Sequence, residues 1–163
     1  GRLVKEKNIL RLVKLIELIN IKDNTDHRIN IIGDGYLKNK ILKFKCVDYK
    51  GVLNQAEIIS VAQKSDVFCL PSKYEPWGVV THEMSALGLP ILISDKCGSA
   101  DLVNNGVNGF TFNPLNEASI ISIIRKFILL SNTEKKEFSL NSIKISKKIT
   151  HNQWNNTLLS LLD

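Results

Sequence analysis

The sequence predicts an α/β fold in which a mostly parallel sheet is flanked by helices. Two observations carry this. Helical and strand patterns alternate along the chain, and the run Val67-Phe68-Cys69-Leu70, bounded by Asp66 and Pro71, is continuously apolar, as expected of a strand buried on both faces. A third observation sets the scale. The 163 residues, 44% of them hydrophobic, suffice for one ordinary domain with a real core, and no repeat, low-complexity tract or linker divides residues 1–163.

The elements follow in order. Ile9, Leu10, Leu12, Val13, Ile16, Leu18 and Ile19 give a broad apolar face at helical spacing. Arg28 to Ile32 is a short strand that ends in the turn Gly33-Asp34-Gly35. Tyr36 to Phe44 predicts a helix, Cys46 to Tyr49 a strand, and Lys50-Gly51-Val52 a loop. Asn54, with Glu57 three residues on, forms a capping box that opens a helix running to about Lys64. The strand Val67 to Leu70 is followed by a loop and by a helix starting near Gly78. Then come a strand at Ile91 to Ile93, a short helix near Ala100 to Asn104, and a last strand, Gly109 to Phe112, entered by a turn at Asn104 to Gly109. Residues 117–131, 133–148 and 151–162 predict three closing helices.

Composition removes several function classes. No uninterrupted apolar run approaches the roughly 18 residues of a membrane span. The start, Gly1-Arg2, has neither a methionine nor a signal pattern and reads as a domain cut. Cys46, Cys69 and Cys97 are odd in number and widely spaced, which argues against a disulfide framework or a zinc site and fits a reducing cytoplasm. The net charge of +6 is spread over helical faces without interleaved aromatics, so nucleic acid is not the expected partner. Lys135, Lys136, Lys144, Lys147 and Lys148 form a cluster expected to be a solvated helix face, with peripheral contact to anionic lipid as its functional alternative.

Chemistry concentrates between Pro71 and Pro90. Ligands of an open parallel sheet bind beyond the carboxyl ends of its strands, where loops enter helix N-termini, and this stretch lies there. Gly78 leaves the backbone open, and the first-turn amides of Val79, Val80 and Thr81 would point at an anion. Beside that cradle, Glu75 and Glu83 would repel phosphate unless they accept from sugar hydroxyls, so phosphate and polyol are read together. Taken alone, Glu83 is explained by the helix dipole and Glu75 as a solvated loop charge. His82 reads as a helix-surface residue, His27 and His151 as loop and cap residues, and Tyr74 and Trp77 as either pocket walls or packing plugs.

Glu75 and Glu83, with seven residues between them, resemble the Glu-x7-Glu signature of retaining glycosyltransferases of family 4. The likeness covers nearly the whole chain. Gly1-Arg2 with Lys7 is similar to the family's opening motif, Ile31 to Gly35 to its glycine turn, and Asp66 to Ser72 to the strand before the signature; Gly106 to Gly109 and the stretch around Trp154 keep the family's order. The resemblance implies a Rossmann-like doubly wound parallel sheet, the C-terminal donor-binding half of a GT-B enzyme. It implies as well that a first strand and an acceptor-binding N-terminal domain precede Gly1, and that this part alone is inactive. Transfer would run from a UDP-, GDP- or ADP-linked sugar to a glycan, lipid or polysaccharide acceptor, with the anomeric configuration retained.

The same likeness assigns roles. Arg2 and Lys7 would meet the donor diphosphate in place of a metal ion, so no cofactor is expected. Glu75 would face the transferred sugar and Glu83 the ribose. The amides of Gly78, Val79 and Val80, with Thr81 nearby, would hold the distal phosphate. Gly33 would admit donor or acceptor close to the backbone, and Lys50, Gly51 and Val52 would lie near the base. Asp101 stands where many members carry glutamate. Two other readings compete: a non-catalytic nucleotide or carbohydrate-binding module, and a dinucleotide-binding oxidoreductase resting on Gly33 and Gly35, whose fingerprint lacks its third glycine because Lys38 stands there.

Overall fold

The computed structural model describes residues 1–148; the expected helix at 151–162 and the stretch around Trp154 lie outside the described residues. The fold is α/β with parallel strands and flanking helices. Among the described residues six α-helices, α1 (Ile9–Asp23), α2 (Lys38–Ile41), α3 (Gln55–Ala62), α4 (Val79–Ala86), α5 (Glu117–Ile128) and α6 (Asn132–Lys148), accompany five strands, alternating with them as far as the fourth strand. The strands are β1 (Ile29–Ile32), β2 (Val47–Gly51), β3 (Phe68–Leu70), β4 (Ile91–Ser94) and β5 (Gly109–Phe112). No helix among the described residues is long and apolar enough to cross a membrane.

The strands form two parallel sheets, β1-β2 and β3-β4-β5, rather than the single sheet expected. The reason is local. No strand of the described residues runs between β1 and β3, and residues 1–7 cross only over their carboxyl ends, where Gly1 N donates to Ile32 O at 2.6 Å, Leu3 N to Asp34 O at 2.8 Å and Lys73 N to Glu6 O at 2.8 Å.

Side chains alternate across the larger sheet with the two-residue strand period. Cys69, Leu92, Phe110 and Phe112 join Leu12 and Leu15 of α1, Ile120 and Phe127 of α5 and Phe138 of α6 in one core. Leu70, Ile91 and Ile93 turn to the opposite face, against Ala62 of α3 and Met84 of α4. A third cluster, Leu3, Val13, Ile31, Leu37, Ile41 and Cys46, surrounds β1. The sheet is thus covered on both faces, as its apolar strands require.

Three local differences from the sequence reading have physical causes. The helix expected at 36–44 is the single turn α2, because only Leu37 and Ile41, one turn apart, are buried there. Lys50 and Gly51 belong to β2 and not to a loop, since Gly33 N donates to Gly51 O at 2.6 Å and the register continues past an irregularity at Ile31/Ile32. The short helix near 100–104 is a 3₁₀ turn at Gly98–Leu102. The Asn54/Glu57 capping box is present in both directions, and Val107 N donating to Asn104 O closes the turn before β5.

Candidate functional site

The carboxyl ends of β1, β3 and β4 gather the expected residues. The 3₁₀ turn Lys5–Lys7 runs between the two sheets, and Asn8, with φ of 58°, redirects the chain into α1. This turn carries Lys7 to Glu75, 68 residues away, and the two pair as ammonium and carboxylate with side chains 25% and 18% exposed. A half-buried pair of this kind is a charge-assisted bond whose members each leave the other uncompensated if removed. Arg2 and Glu83, by contrast, are exposed and engage no partner among the described residues.

Glu75 is held at its backbone. Its N–H donates to Lys96 O at 3.1 Å and its carbonyl accepts from Gly98 N at 2.9 Å, as a parallel bridge to Cys97. Between residues 74–76 and residues 95–98 opens a cleft of about 330 Å³. Tyr74, 70% exposed, stands as a wall of this cleft, and Trp77, 47% exposed, lies just beyond its lining and is not a buried plug.

Gly78 opens α4 with φ of 90°, a left-handed conformation that favours glycine, and supplies no side-chain cap. The N–H groups of Val79 and Val80 have no acceptor among the described residues, so the positive end of α4 stays available to an anion. Thr81 corrects the expectation. Its N–H already donates to Gly78 O at 2.9 Å, and the residue is 0% exposed.

Gly33 packs against the start of the chain: a Cβ there would lie 1.8 Å from Gly1 O. Lys50, Gly51 and Val52 stand at the end of β2 in the other sheet, where Lys50 pairs with Asp48 at 2.6 Å and Val52 is 78% exposed.

The remaining titratable groups are structural. His82 Nε2 lies 2.9 Å from Ser146 O, and because a carbonyl only accepts, that nitrogen carries the proton and ties α4 to α6. Burial pushes the Cys97 thiol up to about 11, against the lowering bond from Ser94, and pushes Cys46 and Cys69 up to about 12. All three stay protonated at neutral pH and offer no nucleophile. Among the described residues no cluster of three His, Cys, Asp or Glu could hold a metal ion. In the C-terminal lysine cluster, Lys135 folds over the Phe127 ring at 5.5 Å, while Lys136, Lys144, Lys147 and Lys148 face solvent.

Sequence reading did not find Gly98 and Ser99. A Cβ on Gly98 would meet Pro76 O at 2.1 Å, and Ser99 N donates to Trp77 O at 2.7 Å. The signal was present as three small residues, Gly98-Ser99-Ala100, beginning four positions after the end of a fully buried strand.

Known proteins bear on this arrangement. The family described as glycosyl transferases group 1 matches residues 1–144. An uncharacterized glycosyltransferase of Methanocaldococcus jannaschii is 28% identical over 152 residues, 88% of this chain and 38% of that protein. The UDP-Gal:alpha-D-GlcNAc-diphosphoundecaprenol alpha-1,3-galactosyltransferase of Escherichia coli is 33% identical over 122 residues, 68% of this chain and 30% of that protein. The crystal structure of TarM, from S. aureus, superposes with a TM-score of 0.83 at 24% identity, over 100% of this chain and 34% of that one. The chain therefore spans about a third of the length of these relatives.

Proposed function

The chain belongs to the glycosyl transferases group 1, and on that premise we propose that it is the donor-binding half of a retaining family 4 enzyme, which moves a hexose from a nucleoside diphosphate to a glycan, lipid or polysaccharide acceptor. One observation carries the reading: Lys7, from the start of the chain, meets Glu75 beside Gly78 and the unpartnered amides of Val79 and Val80 that follow it. A cation, a carboxylate and a helix N-terminus together suit a diphosphate joined to a polyol. The name of the Escherichia coli relative, which specifies UDP-Gal, supports a uridine diphosphate donor.

In this reading Arg2 and Lys7 neutralise the diphosphate without a metal ion, and the Val79 and Val80 amides take the distal phosphate as it leaves. Glu75 stabilises positive charge developing at the anomeric carbon, and Glu83 accepts from the ribose hydroxyls. The departing phosphate assists deprotonation of the acceptor, whose binding falls to an N-terminal domain, so the protein's main contribution is position and electrostatics. The enzyme works in the cytoplasm, and the exposed lysines of α6 support peripheral contact with an anionic membrane face.

Thermal unfolding in the presence of nucleoside diphosphates tests the reading. UDP or GDP at about 100 times its Kd should stabilise the protein by about 2.7 kcal/mol. Absence of any shift with UDP, GDP and ADP would remove the donor site.

A further inference from the structure

Residues 96–99 form a collar around the loop that carries Glu75. Its backbone bonds reach Glu75 from both sides and end at Trp77, where Ser99 N donates. One further bond leaves the backbone. Ser99 Oγ donates to Thr81 Oγ1 at 2.9 Å, between residues 2% and 0% exposed. The approach is close, since a Cβ on Gly78 would stand 2.7 Å from that same Ser99 oxygen.

Packing alone does not demand this pair. An alanine would leave little void in place of the serine, and two apolar residues would avoid the cost of burying hydroxyls. What the hydroxyl pair adds to the apolar packing of Val80 and Ala100 is direction, because it is a hydrogen bond that carries the collar's grip past Trp77 into the first turn of α4. We propose that Ser99, through Thr81, is a positioning residue that fixes the Val79 and Val80 amides relative to the Glu75 carboxylate, so that both act on one donor at a set separation. The proposal rests on the donor-site reading above. Nucleotide is held by the α4 amides with Arg2, Lys7 and Glu83 and does not need Glu75, whereas transfer needs the amides and Glu75 in register.

The test uses the intact enzyme that contains this chain, with Ser99→Ala, Thr81→Val and Thr81→Ser compared for kcat on a turned-over nucleotide sugar and for UDP affinity. Ser99→Ala and Thr81→Val should each lower kcat about tenfold while changing the UDP Kd less than about threefold. Thr81→Ser, which keeps the hydroxyl, should hold kcat within about twofold of wild type. Wild-type kcat in Thr81→Val, or loss of kcat and UDP affinity by one common factor together with a lowered Tm, would overturn the positioning role. Glu75→Gln separates the two levels of inference. If it leaves kcat unchanged, the donor-site reading itself fails and the proposal falls with it; if it lowers kcat while Ser99→Ala does not, only the proposal fails.

Discussion

At the scale of single residues, the pairing of Lys7 with Glu75 changes what each substitution should do. Glu75 competes with an incoming diphosphate for the Lys7 ammonium, so removing its charge releases Lys7 to the ligand. Glu75→Gln in the intact enzyme should therefore lower kcat by at least about a hundredfold while leaving UDP affinity equal or tighter. Isothermal titration beside steady-state rates decides this, and equal loss of both would cancel the division of roles. Lys7→Ala should act oppositely, weakening UDP binding about tenfold or more as a charge-assisted bond is lost; unchanged affinity would take Lys7 out of the site. The types and order of Arg2, Lys7, Glu75 and Glu83 were legible in the sequence. That Lys7 meets Glu75, while Arg2 and Glu83 stay exposed and unpartnered, was not, because pairing across 68 residues depends on the path of a single 3₁₀ turn.

At the scale of elements, α1 is fastened to the turn before β2 by Glu17, whose carboxylate accepts from Cys46 N at 3.0 Å and Lys45 N at 3.4 Å. Desolvation works to raise the Glu17 pKa, but these bonds outweigh it and hold the group below its ordinary value of 4.5. A depressed carboxylate contributes stability above its unfolded pKa and loses it as pH falls through the folded one. Urea unfolding of wild type and Glu17→Gln should accordingly differ at neutral pH by under about 1 kcal/mol, given solvent screening. The two curves should converge below pH 4.5, and a gap that persisted there would exclude the charge as its cause. Elements written in local chemistry were readable: Asn54 and Glu57 announce α3 and form their box. Residues 36–44 misled because a lysine-rich stretch with helical composition buries only one turn, a limit imposed by the neighbouring cluster around β1 and not by propensity. Ser131 and Glu134 form a second capping box before α6 that the same rule would have found.

At the scale of the molecule, two sheets share one side of their cover: Ile29 of β1 packs against the core cluster formed by α1, α5 and β3-β4-β5. Ile120 sits at its centre with 0% exposure, whereas Ile21 on the far side of α1 is 73% exposed. Ile120→Ala should cost about 2–5 kcal/mol and Ile21→Ala under about 0.5 kcal/mol in equilibrium denaturation. Comparable costs would mean that the cluster is not the core. The α/β class and both faces of cover followed from apolar runs and their period. The division into two sheets did not, since which strands become neighbours is decided by crossovers that leave no trace in the periodicity of either strand. The crossing of residues 1–7 over both sheets also bears on the order of assembly. Contacts of Leu3 with Asp34, Glu6 with Lys73 and Lys7 with Glu75 tie one short segment to loops of both sheets, and the entropic cost of closing such loops grows only slowly with their length. Because the pocket draws Lys7 from this crossing segment and Glu75 from the loop after β3, recovery of ligand binding in refolding should not precede the docking of residues 1–7 on that loop.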